Sequence, residues 1–180
     1  MAWRSSGSSN ATLIKNLAEN GLITSDRVRQ AMMKVDRAHY APALPYQDSP
    51  QSIGYSATIS APHMHASAAE SVLPFLHPNA RVLDIGAGSG YLTHVLAELV
   101  APGGTVIGVD HIQELVDMAK DNMEKSDEGI GLLQSKRVQF VKADGRQGYP
   151  PGGPYDAIHV GAAAAEHHQT LVDQLKAPGR

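Results

Sequence analysis

The stretch Val82-Leu83-Asp84-Ile85-Gly86-Ala87-Gly88-Ser89-Gly90 constrains this chain more than any other. An apolar strand runs into glycines that let the backbone pass close to a ligand, and a helical pattern starts at Tyr91. The rest of the second half repeats that alternation. Arg81 to Ile85, Thr105 to Asp110, Val138 to Lys142 and Tyr155 to Val160 read as four short strands. Helices are expected over Tyr91 to Val100, over Ile112 to Lys125 and from about Glu166 to Lys176. Pro102-Gly103-Gly104 reads as a turn and the polar Ser126 to Ser135 stretch as a loop. Strands that alternate with helices require a parallel sheet covered on both faces, so the expectation is a three-layer α/β fold.

The first half reads as helices and loops. Asn10 is placed to cap a helix carrying Leu13, Ile14 and Leu17, with Gly21 as its stop. Thr24 or Ser25 can cap a second helix, where Val28, Met32 and Val35 share a face. Prolines and Gly54 break any periodicity from Tyr40 to Pro62, a length that suggests a functional loop. A third helix is expected from about Met64 to Leu76. At 180 residues the chain fits one domain, with residues 1–78 as helices and a ligand-facing loop and 79–180 as the α/β core.

Composition narrows the function. Fifteen Lys and Arg against eighteen Asp and Glu give a net charge of −3, which offers no electrostatic footprint for nucleic acid or an anionic membrane. No apolar run reaches the roughly 18 residues of a membrane span, and the polar Met1 to Asn10 start lacks a signal peptide's apolar region. With no cysteine there is no disulfide, thiolate metal site or cysteine nucleophile. A cytosolic protein is expected.

The glycine spacing is G-x-G-x-G with Asp84 two residues ahead, not the G-x-G-x-x-G of dinucleotide sites. A pyrophosphate prefers a helix N-terminus without a nearby anion. S-adenosylmethionine carries a sulfonium and an ammonium, which Asp84 favours. Asp110 ends the second strand, twenty residues past Gly90, where an adenosine ribose presents its hydroxyls. Asp144-Gly145 follows the third strand, within reach of an adenine edge. Three acids ending three successive strands resemble the class I methyltransferase pattern, and a Rossmann-like fold follows from it.

Ahead of the sheet stands Ala57-Thr58-Ile59-Ser60-Ala61-Pro62-His63-Met64-His65-Ala66. Here the sequence resembles the protein-L-isoaspartate (D-aspartate) O-methyltransferases, eukaryotic type, which repair damaged proteins. The likeness continues through Asp36-Arg37-Ala38-His39-Tyr40, Asp48 to Gly54, Val109-Asp110-His111, Asp144-Gly145-Arg146 and Tyr155 to Ala163. It implies methyl transfer from S-adenosylmethionine to the free α-carboxylate of isoaspartyl and D-aspartyl residues, with S-adenosylhomocysteine as product and no metal. Ser60 is the implied catalytic residue. Ala57, Thr58, Ile59, Ser60, His65, Asp84, Ile85, Gly86, Gly88, Asp110, His111, Asp144 and Gly145 are the implied cofactor contacts. The partners implied are isoaspartyl-containing proteins and peptides, met by a monomer.

Other chemistries fit less well. His63 and His65 lie two apart and cannot share one helix face, and no acidic ligand pairs obviously with them or with His167-His168. Ser60 sits in Ile-Ser-Ala and lacks the G-x-S-x-G elbow of a hydrolase. An NAD oxidoreductase shares the general fold. At the carboxyl end, Lys176-Ala177-Pro178-Gly179-Arg180 stands where the family has a Lys-Pro-Gly-Gly-Arg type turn, followed by further strands. Those last strands are expected to be missing. The four present should order as 3-2-1-4, with the fourth an uncovered edge open to self-association. The alternative function is a truncated cofactor-binding fragment or splice form with weak or no activity.

Overall fold

A computed structural model describes residues 5–162 and 168–179. Ala163, Glu166, His167, Arg180 and the first four residues, all invoked above, lie outside the described residues.

Strands β3 (Arg81–Ile85), β4 (Thr105–Asp110), β5 (Val138–Lys142) and β6 (Ala157–Val160) form one sheet in the order β5-β4-β3-β6. Every pairing is parallel, so in strand-of-the-sheet terms the order is 3-2-1-4. The reason lies in the sequence: near-continuous apolar runs suit strands covered on both faces. Leu83 is fully buried, as are Val82, Val106 and Val109. Helix α4 (Tyr91–Leu99) connects β3 to β4, and α5 (Gln113–Met123) leads from β4 towards β5.

The stretch expected to be a loop from Ser126 to Ser135 is instead helix α6 (Asp127–Gln134). Ser126 caps it, its hydroxyl accepting from the Gly129 amide at 3.1 Å. Gly129 and Gly131 lower its intrinsic propensity and hide it from pattern reading. Gly129 is required by packing, because a Cβ there would run into the Met123 carbonyl.

The first half holds α1 (Asn10–Glu19), α2 (Asp26–Lys34) and α3 (Pro62–Val72). Asn10 is not the cap of α1. Ser9 is, accepting from the Thr12 amide, and Asn10 turns inward. Its amide donates towards the Met32, Met33 and Val35 carbonyls at 3.1 to 3.4 Å and so ties α1 to the end of α2. Ser25 caps α2, as expected. α3 starts two residues earlier than expected because Pro62 occupies its first position, where a missing N–H costs nothing. It gives way to a 3₁₀ turn over Leu73–Phe75.

Tyr40 to Pro62 is not structureless. Strands β1 (Gln51–Gly54) and β2 (Ala57–Ile59) form an antiparallel hairpin. Its turn residues Tyr55 and Ser56 both have positive φ, at 53° and 55°. Hairpin turns of that kind are normally Asn-Gly or Asp-Gly, so Tyr-Ser carries no turn signal.

A short helix α7 (Gln169–Val172) follows β6, and Leu175 then makes a single parallel bridge to Tyr155. Among the described residues, Ile158 to Val160 have no strand partner on the side of β6 away from β3, whereas Tyr155 is bridged. Val160 is 41% exposed. One cluster of buried residues, from Leu13 in α1 to Ala157 in β6, joins the two halves.

Candidate active site

The carboxyl end of β3 turns sharply through Gly86, Gly88 and Gly90, all with positive φ. Their backbone is held down by hydrogen bonds from the Gly86 and Ala87 amides to the Val109 carbonyl. Residues with side chains would be strained there, and at Gly90 a Cβ would also crowd Ala119 and Phe140 at 3.0 Å. Above this turn lies the β2–α3 connection. Between them is a cleft of about 210 Å³. Thr58, Ile59, Ser60 and His65 form one wall, and Asp84, Gly86 and Gly88 form the other. Sequence positions some 25 residues apart are thus brought to one cavity.

Other expected site residues stand elsewhere. Ala57 and Ile85 flank residues of the cleft without lining it. Asp110 and His111 end β4, where the Asp110 carboxylate accepts from the Gly88 and Ile112 amides, each at 3.2 Å. Asp144 and Gly145 follow β5. Arg146 donates to Asp144 in a fork and holds its carboxyl down to about 2. All four lie along the strand ends beyond the cleft, which is where the open sheet offers room for the rest of a nucleoside.

Asp84, expected to favour the cationic groups of the cofactor, lines the cleft with both carboxylate oxygens already partnered. Its side chain is only 2% exposed. One oxygen accepts from the Thr93 hydroxyl at 2.6 Å, and the other sits 2.8 Å from Nδ1 of His159. The register of the β3–β6 pair places His159 directly opposite Asp84. Burial works against charge on His159, and the hydrogen bond and negative charge of Asp84 outweigh it, so its pKa lies above the ordinary value.

His159 lines the cleft and was not foreseen. Its signal is a polar ring inside the apolar run Ala157 to Val160, which only the strand register connects to Asp84. Arg37 was quoted for its family likeness without a role, yet it is fully buried behind Ser60. His65 meets the Arg37 guanidinium through Nδ1 at 3.1 Å. Burial first, then the Arg37 charge and the neighbouring His159 and His63, push its pKa well below the usual value. His63 takes a different partner, Asp48 at 2.8 Å, so the two histidines do not converge on one point.

A glycine-lined turn at the end of the first parallel strand, acids ending the next two and a facing polar loop define an S-adenosylmethionine-dependent methyltransferase with a Rossmann-like fold. The chain belongs to a particular family of that class. The model described as "Protein-L-isoaspartate(D-aspartate) O-methyltransferase (PCMT)" matches residues 8–180. A protein-L-isoaspartate O-methyltransferase of Caenorhabditis elegans is 47% identical over 180 residues, which is all of this chain and 79% of the relative. Protein-L-isoaspartate O-methyltransferase 1 of Arabidopsis thaliana is 47% identical over 178 residues, 98% of this chain and 77% of its own. Among solved structures, a Plasmodium falciparum protein-L-isoaspartate O-methyltransferase in complex with S-adenosyl-L-homocysteine superposes with a TM-score of 0.87 at 34% identity. That match covers 94% of this chain and 81% of that one.

Proposed function

We propose that this protein transfers the methyl group of S-adenosylmethionine to the free α-carboxylate of L-isoaspartyl and D-aspartyl residues in damaged proteins. The observation that carries the reading is the meeting of the Thr58–Ser60 segment with the Gly86–Gly88 turn in one cleft, in a chain matched by the family over 8–180.

The residues fit such a cofactor. Open glycine backbone admits its close approach, and the cleft of about 210 Å³ suits its amino-acid end and the reacting carboxylate. Asp110 is placed for the ribose, and His111, Asp144 and Gly145 for the adenine side. S-adenosylmethionine supplies, when bound, an electrophilic methyl on a sulfonium. The acceptor is already ionised at neutral pH, so the protein need not remove a proton. Charge disappears as anion and cation combine, which leaves alignment and exclusion of water as the work of the site. The Ser60 hydroxyl can orient the carboxylate without fixing its charge. A lysine or arginine in its place would hold the ground state too tightly.

The chain is read as one methyltransferase domain, 1–78 supplying the acceptor side and 79–180 the cofactor side. The shared buried cluster supports this division of labour within one unit. It acts as a monomer on isoaspartyl proteins and peptides. No helix among the described residues is long and apolar enough to cross a membrane. The cytosol is its place on this reading, supported by a cysteine-free sequence that suits a reducing compartment.

The test is transfer of labelled methyl to an isoaspartyl peptide, followed by base treatment that releases an ester as methanol. Base-labile label in the peptide is expected, and Ser60→Ala should reduce its rate while leaving S-adenosylhomocysteine affinity nearly intact. Base-stable label, or none, would contradict the reading.

A further inference from the structure

The turn that carries Ser60 is held from outside itself. It joins β2 to α3, and Ala61 at the head of α3 provides no side-chain cap. Two charged residues from the preceding segment grip it instead. Arg37, in the 3₁₀ turn Arg37–His39, donates from Nη2 to the Ser60 carbonyl at 2.7 Å. Asp48 accepts from the His63 amide at 3.0 Å and from the His63 ring at 2.8 Å. A cation thus takes the carbonyl just ahead of the helix cap, and an anion takes one of the helix's first amides.

Arg37 does more than hold a carbonyl. It is 0% exposed, and its Nη1 lies 3.1 Å from Nδ1 of His65. Its guanidinium carbon is 5.1 Å from the centre of the Tyr91 ring, against which His65 also packs at 5.0 Å. A guanidinium has donors and no acceptor. Nδ1 of His65 must therefore accept, and the one proton of the neutral ring must sit on Nε2. The groups that face His65 are Arg37 from the 3₁₀ turn, Tyr91 from α4, His159 from β6 and His63 on its own helix. None of them is an anion that would favour a doubly protonated ring.

We propose that Arg37 is a positioning residue for methyl transfer, its two terminal nitrogens fixing the Ser60 turn and locking His65 as a neutral Nε2–H donor towards the cleft. This rests on the methyltransferase reading and adds a cause for the geometry of its site. A neutral donor suits a reaction in which charge vanishes, since it can orient an anionic group without overstabilising it. The arrangement also explains why a cation is buried here without a direct carboxylate partner among the described residues. Its charge guarantees donation from both terminal nitrogens at any pH the protein meets.

The experiment compares the wild type with Arg37→Lys and Arg37→Met. Nitrogen-detected NMR of the histidine rings reads the His65 tautomer, calorimetry reads S-adenosylhomocysteine affinity, and steady-state kinetics read kcat and KM for an isoaspartyl peptide. Wild-type His65 should carry its proton on Nε2. In Arg37→Met the tautomers should mix and kcat should fall about a hundredfold, the scale of a misplacement near 1 Å. Cofactor affinity should change by no more than about fivefold, the loss of one ordinary hydrogen bond. Arg37→Lys, with charge but no fork, should recover part of kcat. A wild-type His65 protonated at Nδ1, or a folded Arg37→Met with kcat within twofold of wild type, would overturn the proposal. If Arg37→Met does not fold, the wild-type tautomer and the lysine variant still decide. If wild type itself fails to methylate the peptide, the functional reading falls, while the tautomer measurement still judges Arg37.

Discussion

The two halves of this molecule share one buried core, but their elements are positioned in different ways. The sheet half is built from local patterns: short apolar strands, helices between them, and glycines where the chain must turn. The segment before β3 buries apolar residues of its own in the shared core, and polar side chains reaching far along the sequence tie its loops and helix ends in place. Asn10 binds the end of α2, Glu70 accepts from the Thr24 and Ser25 amides, Arg27 donates to the Leu76 and Leu99 carbonyls, and Arg37 donates to Ser60. The lesson is a division between support and adjustment. Apolar burial supplies most of the driving force without direction, whereas hydrogen bonds to particular backbone atoms set where a loop stands.

That contrast makes the sheet half the place where truncation should cost most. Leu83 is fully buried at the centre of the sheet, so Leu83→Ala should lower unfolding free energy by about 2 to 5 kcal/mol. Denaturant melts would show it, and a loss below about 1 kcal/mol would mean that the sheet is not the main support.

The junction between the halves should respond to acid. The Tyr40 hydroxyl and Nδ1 of His94 share a hydrogen bond at 2.6 Å, and burial pushes the histidine down to about 4. Unfolded, His94 titrates near the ordinary 6.5, so the folded state binds fewer protons between those values. Stability is present above about pH 6.5 and declines as the pH falls towards 4, by up to roughly 3 kcal/mol from this group. His94→Gln should flatten that part of the stability profile. An unchanged slope in the variant would place the acid sensitivity elsewhere.

The smallest of these effects belongs to the first half alone. Asn10→Ala removes the buried amide that holds the end of α2, at a cost of about 1 to 3 kcal/mol. S-adenosylhomocysteine affinity should stay the same, because the cofactor side is built by the other half. Calorimetry that finds a matching loss of affinity would dissolve the distinction between the halves.

The sequence showed the two halves unequally, for the same physical reason. Strand bounds for Arg81–Ile85, Thr105–Asp110 and Val138–Lys142 were legible because each is a compact apolar run between turn residues. The β1–β2 hairpin was not, since strands of four and three residues are too short to show alternation and Tyr55-Ser56 lacks glycine. Helix α6 was hidden by two glycines, of which Gly129 has a tertiary reason. In the site, the glycine turn and the acids at the strand ends were readable from spacing. The Asp84–His159 pair depends on strand register, and the Arg37–Ser60 contact spans 23 residues across the β1–β2 hairpin. Neither leaves a periodic trace.

The central claim is that this site works by aligning a carboxylate that is already ionised. An isoaspartyl link leaves the α-carboxylate one methylene closer to the main chain than an ordinary aspartyl side chain, so alignment alone should separate the two. The direct measurement is kcat/KM for paired peptides that differ only in that linkage. The isoaspartyl peptide should be favoured by about a hundredfold or more, as expected when an error near 1 Å misplaces the reacting atom. Comparable methylation of both peptides would contradict the account.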